Sequence, residues 1–176
     1  MQTLLTKVKL DSLLALLASV RHLEGCVAEL GCYQGGTLKA LAEACPQKQV
    51  YGFDTFAGMP QAPWREIDSH KPGEFGDTSL AAVKAMMPSN VILKAGLFPE
   101  SAEGTDAQFC FVHLDFDLEK STEDAIEWLR PRMVAGGLIV FDDRHWQNCL
   151  GVDMAIERAG LRVVESVANQ CYWRAP

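Results

Sequence analysis

The fold is decided in the stretch Cys26-Val-Ala-Glu29-Leu-Gly31-Cys-Tyr33-Gln-Gly35-Gly36-Thr37. Its first five residues form an apolar run of strand length, and glycines follow at 31, 35 and 36. A helical segment, Thr37 to Ala44, comes next. Strand, glycine-rich turn and helix together make the opening half of a crossover unit. Glycines let the chain turn tightly and let backbone N–H groups approach a ligand, as no side-chained residue would. The turn is not the Gly-x-Gly-x-x-Gly of dinucleotide enzymes. Glu29 stands where the first of those glycines would be, a carboxylate expected to point at the site. Such a charge repels a pyrophosphate and suits a cationic or amino-acid ligand. S-adenosylmethionine fits, since it carries a sulfonium, an ammonium and a carboxylate but no phosphate.

Outward from this turn, apolar runs recur at Gln49 to Phe53, Val91 to Lys94, Phe109 to Asp115 and Leu138 to Phe141. Helical segments, Thr78 to Met87 and Ser121 to Leu129, lie between them, and Ser121 with Asp124 resembles a capping box. Alternation of this kind implies a mostly parallel sheet covered on both faces. Two later runs, Leu161 to Val167 and Gln170 to Arg174, are separated only by Ala168-Asn169. That gap is too short for a crossover, so these strands must pair antiparallel. The expected architecture is a single α/β domain, Rossmann-like and doubly wound. It has a seven-stranded mostly parallel sheet, a C-terminal antiparallel hairpin and helices on both faces. Residues 1–24 read as a helical segment packed on the body formed by residues 25–176, with Leu10, Leu13, Leu14, Leu17 and Val20 at helical spacing.

Composition narrows the function. A chain of 176 residues, 48% apolar and 22% charged, is ordinary globular usage for one domain. Sixteen Lys and Arg against 23 Asp and Glu leave a formal charge of -7, which repels phosphate backbones and anionic lipid. Nucleic acid and membrane surfaces are therefore excluded as main partners, and a small molecule is expected. The early apolar run Leu13 to Val20 falls well short of the roughly 20 residues that cross a bilayer. Asp11 before it and Arg21-His22 after it do not suit a signal peptide. Six cysteines without a Cys-x-x-Cys pair read as reduced thiols of a cytoplasmic protein. A homodimer is the default assembly.

Open parallel sheets bind ligands beyond the carboxyl ends of their strands, so the chemistry should follow each strand. Asp54 ends the second strand, 25 positions past Glu29, where ribose hydroxyls are gripped in adenosine-binding folds. Glu29, Gly31, Tyr33, Gly35, Thr37, Asp54 and Thr55 form the expected cofactor set, with Gly96 and Phe98 flanking the adenine. The fourth strand ends Leu114-Asp115-Phe-Asp117 and the fifth Phe141-Asp142-Asp143. Carboxylates gathered at one edge need a cation, solvent or protonation. Asp115, Asp142 and Asp143 are the expected ligands of a Mg2+ ion, and Asp117 is expected to cap or support the next helix. The proton acceptor is Asp115 or His145, while His113, inside a strand, reads as a core histidine. The Pro- and Gly-punctuated loop from about 57 to 77, carrying Trp64, reads as a lid.

Together these segments resemble a known family. Val27-Ala-Glu-Leu-Gly-Cys-Tyr-Gln-Gly-Gly-Thr37, Gly52-Phe-Asp-Thr-Phe-Ala-Gly-Met-Pro60 and Gly96-Leu-Phe-Pro-Glu-Ser101 are similar to motifs of the macrocin O-methyltransferase family. So are Leu114-Asp-Phe-Asp-Leu118 with Ser121-Thr122, and Gly136-Gly-Leu-Ile-Val-Phe-Asp-Asp143. The resemblance implies a class I S-adenosylmethionine-dependent fold and Mg2+-assisted O-methylation of sugar hydroxyls on natural products. It also implies that Asp115, Asp142 and Asp143 hold the metal. Two motifs depart. The family's Leu-Tyr-Glu-Ser-Thr is Leu118-Glu-Lys-Ser-Thr122 here, and Arg144-His145-Trp146 stands where the family has Tyr-Gly and a later Trp. The expected activity is S-adenosylmethionine-dependent O-methylation of a small-molecule hydroxyl. The alternative is a catalytically silent cofactor-binding domain serving as a partner or sensor.

Overall fold

A computed structural model describes residues 3–61 and 65–176. The expected Trp64 of the lid lies outside the described residues. In chain order the elements are α1 (Lys7–Val20), β1 (Cys26–Leu30), α2 (Gly36–Ala44), β2 (Val50–Asp54), α3 (Leu80–Lys84), β3 (Val91–Ala95) and β4 (Phe109–Leu114). They continue with α4 (Glu119–Leu129), β5 (Met133–Phe141), α5 (Leu150–Arg158), β6 (Val164–Glu165) and β7 (Cys171–Arg174). The seven strands form one sheet in the order β3-β2-β1-β4-β5-β7-β6. The first five pair in parallel, and β7 runs antiparallel to both β5 and β6. Among the described residues no helix is long and apolar enough to cross a membrane.

Side-chain alternation along the central strands builds two cores. Ala28, Val112, Ile139 and Phe141 face α4 and α5, packing with Ile126, Leu129, Val152 and Ile156. Val27, Phe111, Leu138 and Val140 face the other way, toward Leu13 and Leu17 of α1 and Leu38 and Leu41 of α2. Both faces are thus covered, as the near-continuous apolar runs require. The first helix is part of the body. Leu13, Leu17 and Val20 are essentially buried, each worth about 1.5–3 kcal/mol of removed apolar surface.

Several boundaries differ from the sequence expectation. The helix expected from Ser121 begins at Glu119, which places Ser121 inside it and removes the capping box. Its first N–H is instead satisfied from outside, by Asp68 Oδ1 at 2.9 Å to the Glu119 nitrogen. α3 is one short turn, capped by Ser79, and the run at Leu161 to Val167 contributes only two residues of strand. An extra helix, α5, fills the stretch between β5 and β6. The hairpin turn has the expected two residues, Ala168 and Asn169, both with positive φ, which matches the twist of the flanking strands.

Candidate functional site

The carboxyl ends of β1, β2, β4 and β5 open into one cavity of about 600 Å³, a volume in the small-molecule range. It lies where the strand order reverses, between β1 and β4. Gly31 turns the chain out of β1 with φ of 91°, and a Cβ built there would lie 1.8 Å from the Asp115 carbonyl oxygen. The Asp115 N–H in turn donates to the Leu30 carbonyl at 2.8 Å. Turn and acidic segment are therefore pressed backbone to backbone, which only glycine permits.

Asp54 ties this turn to the loop after β2. Its Oδ2 accepts from the Cys32 and Tyr33 N–H groups, both at 2.7 Å, and its Oδ1 accepts from the Phe56 N–H at 2.7 Å. The same carboxylate faces the cavity, as do Gly31, Tyr33, Thr55, Gly96 and Phe98. The Tyr33 hydroxyl donates to Asp77 and the Thr55 hydroxyl to the Gly58 carbonyl, each at 2.7 Å, so both residues hold the ends of the long loop. Met59 and Glu74 close the base of that loop through a backbone hydrogen bond of 2.8 Å. Phe98 is fixed among the rings of Phe53, Phe116 and Trp128, with centroids 5.5–5.7 Å away.

Four expected site residues stand elsewhere. Glu29 does not point into the cavity: it is buried beneath the turn and accepts from His113 Nδ1 at 2.9 Å. Burial raises its pKa, partly offset by the His113 bond, so Glu29 and His113 form a buried pair. Gly35, at the start of α2, leaves room for Val83 and Met87, whose side chains would sit 2.8–2.9 Å from a Cβ there. Thr37 bonds Thr3 through their hydroxyls and lies outside the cavity wall. His145 is also outside. Its side chain is 61% exposed and turned to Asp153, with Nδ1 3.3 Å from Oδ2, and it is not among the residues of the cavity wall.

Asp115, Asp142 and Asp143 do share the cavity wall, and Asp117 joins them. Oxygens of Asp115, Asp117 and Asp143 lie within 4.8 Å of one another, and Asp115 and Asp142 group with His113 in the same way. Burial drives the Asp115 carboxyl well above the ordinary aspartate range, and the charges of Asp142, Asp117 and Asp143 add to it. Asp117 is raised likewise, by burial and then by Asp143. The expected capping role of Asp117 is thus overturned, because Asp68 does the capping. Sequence reasoning missed Lys9, whose Nζ reaches Asp142 Oδ1 at 2.9 Å and Asp143 Oδ1 at 3.4 Å. Burial lowers the Lys9 pKa, but Asp142 and Asp143 more than offset this and raise it overall. Leu4, Leu5 and Thr6 also line the cavity, giving the N-terminal segment a wall of its own.

Comparison with known proteins agrees with this fold. The sequence matches the macrocin-O-methyltransferase (TylF) family over residues 1–158. It is similar to the 8-demethyl-8-(2,3-dimethoxy-alpha-L-rhamnosyl)-tetracenomycin-C 4'-O-methyltransferase of Streptomyces olivaceus, 29% identical over 143 residues. That match covers 71% of this chain and 55% of the relative, so the chain spans about half of that enzyme's length. The O-methyltransferase NovP has the same fold, with a TM-score of 0.86 at 20% identity over 99% of this chain and 82% of NovP. CalS11, a calicheamicin methyltransferase, gives a TM-score of 0.80 at 23% identity over 94% of this chain and 78% of its own. With its seven-stranded sheet and its match over most of the sequence, the chain belongs to the macrocin O-methyltransferase (TylF) family.

Proposed function

We propose that this protein transfers a methyl group from S-adenosylmethionine to a hydroxyl of a small molecule, and that a Mg2+ ion assists. The observation that carries the reading is a single cavity that joins the glycine turn and Asp54 to the acidic rim of Asp115, Asp142 and Asp143. The residues fit both groups. The turn at Gly31 is open to a ligand, and the Asp54 carboxylate beside it suits a pair of ribose hydroxyls. Phe98 offers an apolar surface to an adenine. The rim is an all-oxygen, anionic donor set, the kind a hard divalent cation takes.

S-adenosylmethionine supplies a methyl group on a sulfonium, open to in-line attack by an oxygen. Mg2+ held by Asp115, Asp142 and Asp143 would lower the pKa of an acceptor hydroxyl and neutralise the rim. Asp115, used as a ligand, gives up the lone pairs a base needs. Asp117 is then the proton acceptor the geometry favours, since it lines the cavity beside Asp115 and Asp143. The loop from 57 onward contributes Gly58, Met59, Pro60 and Phe75 to the wall, and its closure excludes water from the reacting oxygen. The relative in Streptomyces olivaceus acts on a rhamnosyl derivative, so a deoxysugar hydroxyl is the acceptor class we assign. The six free cysteines favour a reducing compartment, the cytoplasm.

The test is incubation with S-adenosylmethionine, Mg2+ and a panel of deoxysugar glycosides, reading S-adenosylhomocysteine by mass spectrometry. Product with at least one acceptor is expected. A second reading, cofactor binding without turnover, draws on Lys9, which already balances part of the rim's charge. Cofactor binding with no product from any acceptor would favour it, and absence of cofactor binding would remove both readings.

A further inference from the structure

A second group of metal-ligating atoms lies under the long loop, behind the rim. His70, carried by that loop, places Nε2 3.6 Å from Cys149 Sγ and 3.8 Å from Asp117 Oδ1. Cys149 Sγ is also 3.5 Å from Asp117 Oδ1 and 3.6 Å from Asp143 Oδ2. A thiol has one proton to donate, yet two carboxylate oxygens and an imidazole nitrogen surround this one. Cys149 is 1% exposed, so water does not resolve the crowding. On the far side of the ring, His70 Nδ1 meets Glu74 Oε2 at 2.7 Å. A proton held on Nδ1 by that carboxylate leaves the Nε2 lone pair turned toward the cysteine.

We propose that His70, Asp117 and Cys149 form a three-ligand site for a borderline divalent ion of the Zn2+ class, which latches the long loop to the body of the domain. A tetrahedral ion with bonds of about 2.0–2.3 Å sets its ligands about 3.3–3.8 Å apart. The three separations within this set, 3.6, 3.8 and 3.5 Å, fall within that range. The donor set is N, S and O, with a fourth position open to water, which favours Zn2+ or Co2+ over Mg2+. Glu74 behind His70 completes a carboxylate–histidine–metal arrangement, the usual outer support of such sites. Coordination replaces the thiol S–H bond with a sulfur–metal bond, and the proton leaves to solvent.

The latch has a consequence for the neighbouring cavity. Asp117 belongs to its wall, so an ion held here withdraws it from an acceptor while the loop is pinned shut. Zn2+ then acts as an inhibitor at a site distinct from the one that uses Mg2+. The proposal does not rest on methyl transfer, because its test needs neither cofactor nor acceptor.

The experiment titrates Co2+ into the full chain in excess Mg2+ and records its absorption spectrum. A thiolate-to-cobalt charge-transfer band with the intense visible bands of tetrahedral Co2+ is expected, and added Zn2+ should bleach both. Cys149→Ser should remove the charge-transfer band. Glu74→Gln, on an exposed side chain that leaves folding intact, should weaken Co2+ binding at least about tenfold. His70→Ala should weaken it further. A spectrum without the thiolate band overturns the proposal and leaves His70 as a polar bridge between Glu74 and Asp117. A band unchanged in Cys149→Ser, or affinity unchanged in His70→Ala, overturns it equally.

Discussion

Lys9 and Asp142, 133 residues apart, meet at 2.9 Å between Nζ and Oδ1, so an ammonium from the first helix stands on the acid that ends β5. Both side chains are largely buried, 14% and 5% exposed. A contact so placed ties the N-terminal segment to the chemistry of the rim and competes with any divalent cation for the same oxygens.

Lys9→Met should therefore tighten Mn2+ binding by about tenfold or more, since one competing positive charge leaves a partly buried site. Electron paramagnetic resonance of free Mn2+ reads the change directly. Equal or weaker binding in the variant would show that the ammonium and the metal share the rim without conflict.

Asp54→Ala removes a carboxylate that accepts from three backbone N–H groups and faces the cavity. Stability should fall by about 2 kcal/mol or more, because hydrogen bonds to charged groups carry about 1.5–3 kcal/mol each. Urea denaturation measures this. Calorimetry with S-adenosylmethionine should show affinity at least about tenfold weaker, and unchanged affinity would remove Asp54 from the ribose site.

Asp115 and Asp117 have pKa values raised in the folded state. Their contribution to stability is present below the ordinary aspartate value and is lost as pH climbs through the raised folded values. Mg2+ held at the rim, as proposed, would relieve the same repulsion at higher pH. The gain in melting temperature from Mg2+ should thus be larger near about pH 8 than near about pH 5.5. A gain that is flat with pH, measured by scanning calorimetry, would detach the ion from these carboxylates.

Gly31→Ala should be severely destabilising, above about 4 kcal/mol, since its Cβ would overlap the Asp115 carbonyl. Soluble yield and melting temperature check it. His145→Ala, by contrast, should leave turnover within about twofold, as its ring is turned away from the cavity. A tenfold loss would return His145 to the reaction.

Local features were legible in the sequence. β1 occupies the residues read from its apolar run, and the two-residue hairpin turn sits where Ala168-Asn169 announced it. The strand succession followed from alternating periods, and Asp54, Asp115, Asp142 and Asp143 all reach one cavity. What escaped depends on contacts that leave no periodic trace. Asp68 caps α4 from 51 positions away, so the local Ser121 signal misled. Glu29 reads as a ligand from its place in the turn, yet the β1–β4 register sets it opposite His113 and into the core. Nothing near Lys9 or His70 marks their partners in the sequence, since only the folded sheet brings those helices and loops together.

The close approach of Gly31 to Asp115 has an engineering corollary. Two neighbouring strand ends that touch main chain to main chain resist sliding, so the span from the glycine turn to the acidic shelf behaves as a fixed ruler. Variation in acceptor is then delegated to the perimeter, to the residues around Leu4 and Met59. Grafting those borders between homologues should exchange substrates without retuning the catalytic distance.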